Sequence, residues 1–252
     1  MADRAGRAME AFRRGRYSAR LAEGRADLAR LLSLRGRAFG RAPGVSDEDR
    51  FDSRCLHVLI EGAEGALAVA FRVLILPSGG ALRQSYSAQF YDLSPLSACL
   101  APVAEMGRYF LAGERPEPDA LRLAWAAMTR IVDGAGAALM LGCSSFPGVD
   151  WRPHRQALAL LAERHLGPQP LRPGAGPVEV VRYPALVGPM TDRKAALAGL
   201  PPLLRSYLAM GGWVGDHAVA DPDLNTLHVF TCVETALVPA ARAASLRSIA
   251  SA

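Results

Sequence analysis

The chain has 252 residues, half of them apolar, and a formal charge of +5. That length can bury a sizeable core in one large domain or two small ones, and the composition excludes the disordered, collagenous and coiled-coil classes. No run approaches the roughly 18 apolar residues of a membrane-spanning helix, and the basic segment Met1–Arg16 lacks the apolar centre of a secretory signal.

Lys194 is the single lysine, so 28 of the 29 basic residues are arginines. Such an excess favours acidic partners, an anionic membrane surface or an acidic carrier protein among them. Nucleic acid is not expected, because the arginines are scattered and no recognition motif accompanies them. The four cysteines, Cys55, Cys99, Cys143 and Cys232, have neither metal-ligand spacing nor the pattern of a disulfide framework. No metal is expected, and the compartment reads as the cytoplasm.

In chain order, residues 1–16 read as a basic tail, either frayed and solvated or a basic arm on anionic lipid. Tyr17–Leu21 reads as a first strand. Asp27–Phe39 carries a helical apolar stripe, and Arg41–Arg54 reads as a polar loop. Leu56–Glu61 and Ala66–Leu76 flank Gly62-Ala-Glu-Gly65 and predict a strand hairpin. Pro102–Phe110 predicts a strand, Ala120–Val132 a helix capped at Pro118-Asp119, and Ala137–Phe146 a buried strand ending in Ser144 and Ser145. Pro153–Leu166 predicts a helix, Gly167–Pro177 a loop and Val178–Tyr183 a strand. Arg193–Met210 predicts a helical segment broken at Pro201-Pro202, and Leu227–Glu234 a last strand. Strands and helices mix throughout. The expectation is one α/β domain over residues 17–236, with a helical insertion in its C-terminal half and a tail at 237–252.

Seven segments resemble, in order, those of the ornithine-lipid N-acyltransferases, a family of the GNAT superfamily. They are Asp49–Asp52, Ser85–Ser94, Glu105-Met-Gly-Arg108, Gly142–Gly148, Glu163–Pro168, Leu200–Leu204 with Gly211–Asp216, and Asn225–Phe230. The N-terminal half is also similar to the acyl-homoserine-lactone synthases in Arg35, Phe39, Asp49, Asp52, Arg72 and the ends of Glu105-Met-Gly-Arg108, where Gly107 stands in place of a serine. The resemblance implies a GNAT-like, mostly antiparallel sheet flanked by helices. It also implies transfer of a 3-hydroxyacyl chain from acyl carrier protein to the alpha-amine of ornithine, giving lyso-ornithine lipid. Glutamine as acceptor, a lactone synthase and a non-catalytic lipid- or carrier-binding protein are the alternatives. No cofactor is implied beyond the phosphopantetheine that the carrier brings.

Acyl transfer to an amine needs a proton acceptor, a positioned thioester and a stabilised oxyanion. Glu105 is the candidate base and Asp52 the second candidate catalytic group. Arg35, Phe39, Asp49, Arg72, Arg108, Ser144 and Ser145 are the candidate substrate-binding residues. Asp49 and Asp52 either hold the cationic acceptor or pair with Arg35 and Arg72. Arg72, in an otherwise apolar strand, requires a buried partner, for which Glu105 and Asp52 are candidates. In a GNAT-like sheet the strand carrying Ser144 and Ser145 lies beside the acyl-pantetheine arm. The turn Tyr109–Pro118 has one glycine and two prolines, a poor cradle for a pyrophosphate, which favours carrier protein over coenzyme A. The product is a one-chain lipid. The apolar face Leu197, Leu200, Leu204, Tyr207 and Leu208 is therefore read as either a peripheral membrane contact or part of the core.

Overall fold

The computed structural model describes residues 6, 9–42, 44–113 and 117–250. Arg4 and Arg7 of the expected tail, and residues 114–116 of the turn after Phe110, lie outside them. The chain runs β1 (Phe12–Arg14), β2 (Tyr17–Leu21), α1 (Gly24–Ala38), β3 (Leu56–Glu61), β4 (Leu67–Leu76), β5 (Tyr91–Asp92), β6 (Val103–Leu111), α2 (Pro118–Ala135) and β7 (Leu139–Pro147). There follow α3 (Arg155–Arg164), β8 (Gly174–Ala175), β9 (Val180–Val181), α4 (Tyr183–Leu186), α5 (Arg193–Gly199), α6 (Pro202–Ala209), β10 (Trp213–Asp221), β11 (Thr226–Glu234) and α7 (Ala240–Ala250). The result is the expected mixed, mostly antiparallel α/β class. No described helix is long and apolar enough to cross a membrane.

Two compact units are formed. The first comprises Met1–Ile75, Ala104–Ala137 and Ala240–Ala252. Its strands run in the order β1-β2-β3-β4-β6. The β3–β4 hairpin closes through Gly62–Gly65 and places His57 opposite Arg72. Helix α1 buries Leu31 against Leu59, Ala70 and Phe110, with Phe39 packed on the same cluster. Two parts of the expected tails have structure. β1 pairs with β2, and Arg130 lies over the Phe12 ring at 4.0 Å. Helix α7 packs against α2 and joins it through Arg247 and Asp133 at 2.8 Å. Short segments rich in Arg or Ala have weak periodicity, and tertiary contacts decide their structure.

The second unit comprises Leu76–Val103 and Ala138–Pro239. Its main strands run β7-β11-β10-β9, antiparallel throughout, and β5 pairs separately with β8. β10 has no counterpart in the sequence reading. Its register shifts between Val214 and Ala218, so Gly215-Asp-His217 interrupts the alternation that would reveal a strand. Asp192 caps α5 by accepting from the Ala195 N–H, and Pro202 opens α6.

Of the two readings of the α5–α6 face, the structure realises the core one for most of its residues. Leu200, Leu204 and Tyr207 are buried, and both leucines pack with Leu158, Leu161, Val214 and Val229. Leu197 alone of the five named residues is largely exposed, at 42 %. Leu204→Ser should therefore lower stability by about 3–5 kcal/mol, the cost of a cavity plus a buried hydroxyl. Urea unfolding measures it, and an unchanged midpoint would place Leu204 outside the core.

Candidate active site

The first unit gathers most of the predicted residues around a buried ion-pair network. Asp52 is its centre. Arg35, from the last turn of α1, donates to both Asp52 carboxylate oxygens at 2.8 and 2.7 Å. Arg72, from β4, donates to Asp52 Oδ1 at 2.7 Å and grips Asp49 in bidentate fashion at 2.6 and 2.8 Å. Arg108, from β6, reaches Asp49 Oδ2 at 3.3 Å. The Arg35 and Asp52 side chains are both 1 % exposed, whereas Asp49 keeps 22 %.

Asp47 is the member that the sequence reading missed. Its Oδ2 lies 2.9 Å from Nε of both Arg35 and Arg108, as charge contacts without hydrogen-bond alignment. Arg41 adds a bond to Oδ1 at 3.2 Å. The available signal was the acidic spacing of Ser46-Asp-Glu-Asp-Arg-Phe-Asp52. Gly36 makes the arrangement possible, since an added Cβ there would lie 2.7 Å from the Val45 carbonyl oxygen. The loop can therefore lie directly on α1 and deliver Asp47 to Arg35.

Aromatic rings and one histidine complete the frame. Arg108 lies 5.6 Å over Phe39, and Arg72 lies 5.7 Å over Phe51. His57 Nε2 meets the Asp52 carbonyl oxygen at 3.0 Å and therefore donates, which leaves Nδ1 as a buried acceptor without a partner among the described residues. Arg108 has φ 52 within its strand, a left-handed conformation costing about 1–3 kcal/mol. Its ion pairs with Asp47 and Asp49 hold it there. Glu105 is buried on β6, and its charge acts on the Cys55 thiol together with those of Arg72, Asp52 and Asp49. Burial pushes that thiol up to about 12.

The structure thus realises the pairing alternative for the aspartates. Asp52 is spent on Arg35, Arg72 and the Asp49 N–H, so it has no exposed oxygen for an acceptor. Ser144 and Ser145 belong to the second unit. Ser144 is buried and accepts from the Thr231 hydroxyl at 3.0 Å, while Ser145 is exposed opposite His228.

Burial alone would raise the Asp52 carboxyl, but bonds from Arg35 and the Asp49 N–H and the nearby charges of Arg72 and Arg35 hold it well below the usual range. The same opposition, with Arg72 dominant, lowers Asp49. Burial lowers His57. In the second unit, burial lowers His228 to about 4, aided by the nearby His217.

Stability should consequently fall in two stages on acidification. Below about pH 6.5 an unfolded histidine binds a proton that folded His57 and His228 refuse, so protonation favours the unfolded chain. Below about pH 4 unfolded aspartates bind protons that folded Asp49 and Asp52 refuse, and their contribution is lost as pH falls toward their folded values. Melting temperature against pH measures both stages; a flat profile from pH 7 to 5 would contradict the first. Separately, Asp52→Asn leaves two buried guanidinium groups short of countercharge and should cost about 3–5 kcal/mol. Asp49→Asn, at the partly exposed carboxylate, should cost less in the same urea titration.

Known proteins are similar to this chain in sequence. The family model described as an acetyltransferase (GNAT) domain matches residues 32–126, the stretch that runs from α1 through Arg108. The L-ornithine N(alpha)-acyltransferase of Rhodobacter capsulatus is 30 % identical over 235 residues, covering 87 % of this chain and 90 % of that protein. The protein of the same name from Agrobacterium fabrum is 29 % identical over 240 residues, covering 85 % and 80 %. Among solved structures, apo TofI aligns with a TM-score of 0.49 at 16 % identity, over 96 % of this chain and 99 % of that one. With that identity and coverage, this chain belongs to the L-ornithine N(alpha)-acyltransferase family.

Proposed function

We propose that this protein transfers a 3-hydroxyacyl chain from acyl carrier protein to the alpha-amine of ornithine, giving lyso-ornithine lipid. The observation that carries the reaction and its acceptor is the match to the Rhodobacter capsulatus L-ornithine N(alpha)-acyltransferase over 90 % of that protein.

In this reading Glu105 takes a proton from the alpha-ammonium, directly or through water. The freed amine attacks the thioester carbonyl carbon, the nitrogen sheds its second proton as the C–S bond breaks, and the departing sulfur takes up that proton, so the carrier leaves as a thiol. Arg35, Asp47, Asp52 and Arg72 act as positioning residues that fix the loop and the hairpin around Glu105. Asp49, which keeps some exposure, and Phe39 and Arg108 beside it form the part of the frame offered to a substrate.

The start of α2 supports a donor without a pyrophosphate. Glu117 is its N-cap residue, Pro118 at the first helical position has no N–H, and Asp119 stands in the first turn. Pro118 leaves this helix end one amide short of the usual anion cradle, and both carboxylates are held by arginines. Peripheral contact with an anionic membrane belongs to the same proposal. The lipid product requires a bilayer, and Arg193, Lys194 and Leu197 are exposed on α5.

The deciding assay incubates the pure protein with 3-hydroxyacyl carrier protein and a panel of amino acids, and weighs the products. N-acylornithine is expected; acylglutamine as the main product would change the acceptor, and no acylated amino acid would overturn the reading. Glu105→Gln should keep the fold and lose about 10²–10⁴-fold in turnover. Near-parental turnover across the pH range would remove Glu105 as the base.

A further inference from the structure

The stretch Leu76–Val103 of the second unit is nearly free of charge. Its 28 residues hold two charged side chains, Arg83 and Asp92, whereas 21 % of the whole chain is charged. Leu93–Ala104 holds none. Part of this neutral stretch nonetheless faces solvent. Ser97 and Ala98 are exposed, and Leu100, at 89 %, is the most exposed large apolar side chain among the described residues. One exposed leucine is ordinary on a protein surface. What distinguishes Leu100 is its setting, since the nearest charged residues in the chain are Asp92 and the buried Glu105.

Close backbone contacts present Leu100 firmly. The Gly79 N–H donates to the Cys99 carbonyl oxygen at 2.7 Å. An added Cβ on Gly79 would fall 2.0 Å from the Leu96 carbonyl oxygen, so the turn at Gly79 and the strap before Leu100 touch through bare backbone. Burying a side chain that is already held this way costs little further ordering.

Gly79 also lines a cleft of about 580 Å³, together with Gly80, Arg83, Asp92, Ser94 and Ser97. The volume falls in the roughly 300–1,000 Å³ range of small-ligand sites. Arg83 is exposed there, and its guanidinium makes no ion pair or hydrogen bond among the described residues. Asp92 is turned onto its own loop, where its two oxygens accept from the Ser94 N–H and hydroxyl at 3.0 Å each. The unengaged charge at the cleft is therefore the donor fork of Arg83, which matches the oxygens of a phosphate.

We propose that this face is where the protein meets a membrane. Leu100 enters the apolar edge of the bilayer, and Arg83 pairs the phosphate of an anionic glycerophospholipid seated in the cleft. A neutral skirt suits this position, because charged side chains there would have to be stripped of water. The inference rests on the lipid-product reading above. It names a surface other than α5, none of whose residues lines the cleft.

Flotation of the full chain on vesicles tests this without any turnover. The parent should float with phosphatidylcholine vesicles that contain phosphatidylglycerol, and much less with phosphatidylcholine alone. Arg83→Gln should lower partitioning onto the mixed vesicles about fivefold. Leu100→Ser should lower it by about tenfold or more. Both side chains are exposed, so the urea midpoints of these variants should stay at the parental value. Leu100→Trp should bind at least as tightly as the parent, a result that misfolding would not produce. A parent that does not float, equal binding to both kinds of vesicle, or either weakening variant floating as the parent does overturns the proposal. Flotation lost only when Arg193 and Lys194 become Gln would place the contact on α5 and overturn it too. Acylated ornithine from a parent that does not float would leave the proposed reaction standing without this surface. Flotation weakened in both variants, with no amino acid acylated, would leave the surface standing without the reaction.

Discussion

The first unit depends on Asp52 being shared by Arg35 and Arg72. Without that carboxylate two guanidinium groups would be buried with reduced compensation, a cost far above that of any single surface contact. With it, a polar loop that periodicity leaves undefined is stitched to α1, to the β3–β4 hairpin and, through Asp47 and Asp49, to β6. His57 adds a second stitch, because it stands opposite Arg72 and binds the Asp52 carbonyl oxygen. The left-handed backbone at Arg108 persists for the same reason: the strain is local, and the ion pairs that oppose it come from the loop.

This frame separates two kinds of residue that look alike in the sequence. Asp52 and Arg35 are buried and satisfied by protein, so they shape the site without an exposed atom to offer a substrate. Asp49 is the exception among the acidic members because part of its carboxylate remains exposed. A cationic acceptor approaching it would still compete with the bidentate Arg72 grip and the Arg108 contact. Attraction between the acceptor and the aspartates is therefore a weak source of acceptor specificity here.

Much of this was legible beforehand, and the reasons are specific. The hairpin around Gly62–Gly65 and the helix break at Pro201-Pro202 were visible because turn residues and proline act locally. Arg72 announced a buried partner because it interrupts an apolar strand, and Asp52 is one such partner. β10 was hidden by its irregular register at Gly215–His217, and β1 by its three-residue length. Asp47 was hidden because its role requires Gly36 to admit the loop, a long-range steric fact that spacing does not encode. The α5–α6 face was ambiguous for a general reason. An amphipathic stripe looks the same whether it meets lipid or protein, and only the surrounding Leu158, Val214 and Val229 decide it.

The N-terminus of α2 extends the same logic to the donor. A helix start ordinarily offers unpaired amides and positive potential to an anion. Here Pro118 removes one amide, and Glu117 and Asp119 bring negative charge to the position a diphosphate would need. Those carboxylates are themselves held by the first hairpin: Arg16 pairs with Glu117, and Arg14 reaches Asp119 at 3.3 Å. Arg122, one turn along α2, shares the same Asp119 oxygen at 3.1 Å. With both carboxylates paired to exposed arginines, the absent Pro118 amide is what sets this helix end apart from an ordinary anion cradle. Ion pairs from β1 and the turn before β2 thus close this helix end, and the β1–β2 pairing holds those arginines beside it.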